Sequence, residues 1–170
     1  MAAIELIQAD ITQLDVDAIV NAAKSTLLGG GGVDGAIHRA AGPQLLDECI
    51  SLGGCATGDA KITMGYKLKA RYIIHTVGPV WQGGENNESD LLASCYRKSL
   101  SLAVGNNCTS IAFPNISTGI YGFPKKLAAD IAIREVRSFI LTNKMIRKVF
   151  FCCFDSENFQ IYQQLLEKSS

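Results

Sequence analysis

Residues 21–42 read NAAKSTLLGGGGVDGAIHRAAG. Four consecutive glycines, 29–32, stand between a lysine, Lys24, and an acid, Asp34, and the stretch runs straight into a helical pattern. Each glycine in ordered structure costs about 1 kcal/mol relative to alanine, so such a run marks a place where backbone must come close to something. Glycines let successive N–H groups turn inward as a nest for an anion, and the helix N-terminus that follows adds partial positive charge. A second stretch of this kind, NISTGIYGFP at 115–124, also leaves an apolar run and also leads into a helix. Loops of this sort suit a pyrophosphate. The plainer reading of 29–32, a flexible turn, does not account for the second loop.

The spacing excludes the common nucleotide motifs. There is no GxxxxGK[ST], and GGGGVDG is not a GxGxxG fingerprint followed about 20 residues later by a ribose-binding acid. A diphosphate ligand therefore needs another scaffold.

The elements that must position these loops follow from periodicity. Residues 4–9 alternate as a strand does, and 17–22 form a short apolar run of the buried-strand type. A helix is expected over 35–51, broken or restarted at Pro43, whose ring does not fit a helix interior. Strands follow at 59–66 and 70–78, an amphipathic helix at 87–105, and a strand at 109–116. Pro124 suits the first turn of a helix running to about 141. Residues 147–154, RKVFFCCF, are an apolar strand, and 156–168 a closing helix with Ser156 as its N-cap. Strands alternating with helices predict one α/β domain over 1–170, with helices on both faces of a mostly parallel sheet. In such sheets ligands bind at the carboxyl ends of the strands, where both glycine loops emerge.

Composition narrows the function. A chain of 170 residues is long enough to bury roughly 70% of its unfolded surface. Sixteen basic and sixteen acidic residues give a formal net charge of zero, so the sequence-independent drive toward nucleic acid is weak. No apolar run approaches the ~20 residues of a membrane span, and MAAIELIQAD lacks the basic start and apolar stretch of a signal peptide. The six cysteines form no CxxC pair and have two histidines beside them. They are expected to be reduced, buried thiols rather than a disulfide framework or a zinc site. The expectation is a cytoplasmic monomer with no membrane contact, no metal and no cofactor.

The segments QADITQLDVDAIVNAAKSTLLGGGGVDGAIHRAAGP, HTVGPVW, FPNISTGIYGFP and FCCFDSENFQIY, in that order from end to end, closely resemble the macrodomain family. Within it they resemble the MacroD-type ADP-ribosyl hydrolases and bacterial O-acetyl-ADP-ribose deacetylases. The resemblance implies a three-layer α/β/α sandwich around a mixed, mostly parallel sheet, with a cleft for ADP-ribose. By it, the Asp10 carboxylate would accept from the adenine amine, the Ile11 backbone would assist, and Phe154 would pack on the base. Without the resemblance, Asp10 reads as a turn cap and Phe154 as a core residue. The pyrophosphate would rest on the backbone of Gly30, Gly31, Gly32 and Val33 and of Ser117, Thr118, Gly119, Ile120 and Tyr121. Tyr121, with Gly122 next to it, would lie beside the distal ribose. Ala9 stands where the family usually has glycine.

Hydrolytic members hold the distal ribose and a reactive water with an asparagine and an aspartate ten residues apart. Asp34 matches the aspartate. Lys24 replaces that asparagine, while Asn21, the first asparagine of the family's NAAN, is retained. Asn21, Lys24 and Asp34 are the candidate catalytic set, and His38, one helical turn beyond Asp34, is either its neighbour or a packing residue. Lys24 has three courses open: to pair with Asp34 and hold its carboxylate charged, to reach the diphosphate, or to carry its charge to solvent. In each the amide's acceptor is lost, because lysine only donates. The implied activity is hydrolysis of an ester on the distal ribose, of O-acetyl-ADP-ribose or of a mono-ADP-ribosylated protein, slowed by Lys24. The alternatives are a module that binds ADP-ribose without turnover, favoured by Lys24, and nucleic-acid binding, which the zero net charge disfavours.

Overall fold

The computed structural model describes residues 2–168; Met1, Ser169 and Ser170, the ends of the expected domain, lie outside the described residues. The element order is β1 (Ala3–Gln8), a 3-10 turn (Ile11–Gln13), β2 (Ala18–Ala22), α1 (Gly32–Ala41), α2 (Pro43–Leu52), β3 (Ala60–Met64), β4 (Tyr72–Thr76), α3 (Glu88–Gly105), β5 (Ser110–Phe113), α4 (Lys125–Thr142), β6 (Lys148–Cys153) and α5 (Ser156–Lys168). The six strands form one sheet in the order β1-β6-β5-β2-β4-β3. All neighbours are parallel except the β3–β4 pair.

Both faces of the sheet are covered, which explains why its strands read as continuous apolar runs. Successive side chains point to opposite faces. Ala18, Val20, Ile111, Phe113, Val149 and Phe151 join the core under α3, α4 and α5. Their alternates Ile19, Ala112 and Cys152 join the core under α1, α2 and the 3-10 turn. The result is the three-layer sandwich. All six cysteines are free and buried, and burial pushes the thiols of Cys49, Cys95, Cys152 and Cys153 up to about 11. They are therefore packing residues at neutral pH.

Two boundaries differ from expectation. The first helix begins at Gly32 rather than 35, so Asp34 lies in its first turn, where the helix dipole favours an acid. Pro43 does restart the helix: α1 ends at Ala41, Gly42 (φ 93°) caps it, and Pro43 is the first residue of α2. Ser156 is not the N-cap of α5. Asp155 takes that role, its carboxylate accepting from the Asn158 N–H at 2.7 Å, because a carboxylate one residue earlier reaches the orphan amide of the first turn.

Candidate functional site

Four neighbouring parallel strands, β1, β6, β5 and β2, end on one edge of the sheet. The expected site residues leave those ends in the same spatial order: Asp10 and Ile11 after β1, Phe154 after β6, 117–122 after β5, and 30–34 after β2. The two glycine loops are thus side by side, because β5 and β2 pair directly.

Asp34, in the first turn of α1 where the first glycine loop ends, is buried, 4% exposed. Asn21, wholly buried on β2, donates from Nδ2 to Asp34 Oδ1 at 2.8 Å and to His75 Nδ1 at 3.1 Å. An amide NH2 only donates, so His75 Nδ1 must accept and the neutral ring carries its proton on Nε2. Nε2 donates to Thr63 Oγ1 at 3.0 Å, whose own hydroxyl donates to the Met64 carbonyl at 3.1 Å. Burial first, and then the neighbouring His38, holds His75 down at about 3, which keeps the ring neutral. A relay across β3, β4 and β2 therefore fixes the Asn21 amide and, through it, one oxygen of Asp34.

The other oxygen, Asp34 Oδ2, is buried without a hydrogen-bond partner, as are Asn21 Oδ1 and Ser117 Oγ. Buried polar atoms are rarely left so, and these three sit at the carboxyl end of β2, in the first turn of α1 and in the second loop. His38 Nε2 approaches Asp34 Oδ1 only to 3.5 Å and has no hydrogen bond. The N-terminus of α1 has no side-chain cap, which leaves its first-turn amides without an intrahelical acceptor.

Lys24 is exposed and, among the described residues, forms no ion pair. Its side chain lies across Gly30: a Cβ there would sit 2.8 Å from Lys24 Cε, 3.0 Å from Nζ and 3.3 Å from Asp34 Oδ2. The ammonium and the free carboxylate oxygen thus flank one small space without closing on each other.

The second loop is held open by close approach. Ser117 has φ 67°, and a Cβ on Gly78 would come within 2.1 Å of its Oγ. The Phe123 N–H donates to the Ser117 carbonyl at 2.9 Å, and the Trp81 N–H to that of Tyr121 at 2.8 Å. The Trp81 ring packs on Phe123 at 4.8 Å. Trp81 is fixed in turn by Glu88, whose buried carboxylate accepts from the N–H groups of Gln82 and Asn86 at 2.7 Å and of Gly84 at 3.1 Å. At the far end Asp10 Oδ1 accepts from the N–H and hydroxyl of Thr12 at 2.9 and 2.7 Å. It is a turn cap with its second oxygen to spare. Phe154 is 85% exposed and Ile120 fully exposed, so Phe154 is not a core residue.

The structure brings Asn21, Lys24, Asp34 and Gly30 together, with His38 beside them. Asp10 and Phe154 stand three and two strands away. His75, Thr63 and Gly78 join the site only in the folded chain. A histidine and an asparagine inside apolar strand runs, IIHT and IVNA, were the available signal. Among the described residues no cluster of His, Cys, Asp or Glu could hold a metal, and no helix is long and apolar enough to cross a membrane.

The family model for the Macro domain matches residues 20–132. The chain belongs to the macrodomain family. A macro domain-containing protein of Chlorobaculum tepidum is 62% identical over 96% of this chain and 95% of its own length. A protein of Escherichia coli K12 named O-acetyl-ADP-ribose deacetylase is 53% identical over 96% and 94%. Among solved macrodomains, one from Oceanobacillus iheyensis with ADP superposes with a TM-score of 0.94 at 42% identity, covering 99% of this chain and 92% of that one. A Trypanosoma brucei macrodomain in complex with ADP-ribose gives 0.91 at 46%, covering 96% and 68%.

Proposed function

We propose that this macrodomain binds ADP-ribose and hydrolyses an acyl ester on its distal ribose, releasing acetate from O-acetyl-ADP-ribose or freeing a mono-ADP-ribosylated protein carboxylate. The observation that carries this reading is Asp34: a buried carboxylate with one oxygen pinned by Asn21 and the other unpartnered. The ligand types named for the solved relatives, ADP and ADP-ribose, support it, as does the named deacetylase relative.

Adjacent strands lie about 4.8 Å apart, so the edge from β1 to β2 spans roughly 14 Å, room for a base at one end and a sugar at the other. Adenine lies between Asp10, which accepts from its amine, with the Ile11 backbone assisting, and the exposed Phe154 ring. The diphosphate rests on the uncapped N-terminus of α1, with Gly30, Gly31, Gly32 and Val33, and on the turn formed by Ser117, Thr118, Gly119, Ile120 and Tyr121. Tyr121 and Gly122 border the distal ribose. Asp34 Oδ2 takes a proton from a water that adds to the acyl carbonyl; the tetrahedral adduct collapses, and the ribose oxygen leaves with a proton. Asn21 keeps Asp34 in line.

A second reading, a binding module without turnover, rests on Lys24, which offers no acceptor where hydrolytic relatives are expected to carry an amide. The two separate in one pair of experiments: calorimetry with ADP-ribose, and release of ADP-ribose from a glutamate-modified protein by wild type and Asp34→Ala. Binding with turnover that the variant loses supports the hydrolase. Binding without turnover leaves the module, and absence of both overturns the cleft assignment.

A further inference from the structure

A pocket of about 450 Å³ opens beside Asp34, between the first glycine loop and the start of α2. Two of its walls touch the catalytic acid. Gly30 lines it and faces Asp34 Oδ2; His38 lines it and comes within 3.5 Å of Asp34 Oδ1.

Three cations are spaced along the pocket's rim, each beside a different lining glycine. A Cβ on Gly30 would stand 3.0 Å from Lys24 Nζ, one on Gly35 3.1 Å from Arg39 Nη1, and one on Gly42 3.6 Å from Lys67 Nζ. Lys24, Arg39 and Lys67 are exposed, and none forms an ion pair among the described residues. In a chain of zero net charge, three unpaired cations around one recess form a local positive field in search of an anion. Asp34 Oδ2, buried, unpartnered and beside the lining Gly30, sets the proposed reacting centre next to this recess.

We propose that the pocket receives a carboxylate carried by the acyl group, so that this protein prefers half-esters of dicarboxylic acids on the distal ribose to the simple acetyl ester. The inference rests on the proposed hydrolase reading and names its substrate class. The reaction is the same: water adds to the ester carbonyl, the ribose oxygen leaves with a proton, and the products are ADP-ribose and a free dicarboxylate. Lys24, a poor substitute for an amide in acetyl hydrolysis, here holds the distant charge along with Arg39 and Lys67.

The test compares O-succinyl- and O-acetyl-ADP-ribose with the full chain. The kcat/KM ratio is expected to favour succinyl about tenfold at low salt, to shrink as salt screens the cations, and to fall toward one in the Arg39→Gln/Lys67→Gln double variant. A ratio near or below one in wild type overturns the proposal, as does a preference that salt and the double variant leave intact. The matching amides, with nitrogen in place of the ester oxygen, give the same comparison as Kd values and decide it even in the absence of turnover. Tight ADP-ribose binding with equal affinity for the two amides overturns this inference alone. Failure to bind ADP-ribose at all overturns the proposed function and the inference together.

Discussion

His75 gives a quantitative prediction. Its ring is buried between Asn21 and Thr63, near Cys49 and 6.5 Å from the His38 ring. Its Nδ1 accepts from an amide, so protonation would set two donors face to face. The folded value of about 3 lies far below the ordinary 6.5. Between these values the unfolded chain binds a proton that the native one does not, so stability is complete above about pH 6.5 and is lost as pH falls toward 3. Integrated from pH 7.5 to 5, this single group costs about 2 kcal/mol. Glu88 and Asp17 act lower down. Burial opposes charge at both, but the backbone N–H groups each accepts from hold it below its usual range; their contribution is present above the ordinary carboxylate value and is lost below it. Urea unfolding of wild type and His75→Gln at pH 7.5 and 5 isolates the histidine, because the carboxylate contributions cancel in the difference. The wild type is expected to lose about 2 kcal/mol more than the variant over that interval. The His75 ring resonances should show no titration above pH 4. Equal losses in the two proteins, or a His75 midpoint between pH 6 and 7, would refute the neutral relay and with it the account of how Asp34 is aimed.

Further outcomes follow from single contacts. Phe154→Ala should weaken ADP-ribose binding by about 1–3 kcal/mol, the worth of stacking on one base, with Tm unchanged because the ring is 85% exposed; calorimetry and a melt check both. Lys24→Asn, which restores an amide beside Asp34, should raise kcat for O-acetyl-ADP-ribose, and an unchanged rate would show that Lys24 does not limit turnover. Gly78→Ala would drive a methyl to within 2.1 Å of Ser117 Oγ, and should reduce ADP-ribose affinity at least tenfold by displacing the second loop; wild-type affinity would show that this loop does not hold the diphosphate.

Much of this molecule was legible in the chain. The strands were legible because a doubly covered sheet makes unbroken apolar runs, and Pro43 announced the restart between α1 and α2. The start of α1 was not, because Gly32 reads as loop while the backbone already turns there under the stabilising influence of Asp34 in the first turn. Asp155 hid behind Ser156 because both are good caps one residue apart. The glycine loops revealed themselves by composition. The relay behind Asp34 did not: Asn21 and His75 are 54 positions apart and meet only because β2 and β4 align them in register. The cationic pocket is likewise invisible in sequence, since Lys24, Arg39 and Lys67 reach its rim only when the loop, α1 and the turn after β3 are folded.

Single-turnover release of acetate from O-acetyl-ADP-ribose, with enzyme in excess, by wild type and Asp34→Ala at equal occupancy of the cleft decides whether Asp34 is the base. The wild type is expected to release acetate and the variant to lose at least a hundredfold in rate, with ADP-ribose still bound. Equal rates in the two proteins would contradict the assignment of Asp34 as the base, and saturating binding without acetate from the wild type would contradict the hydrolase itself.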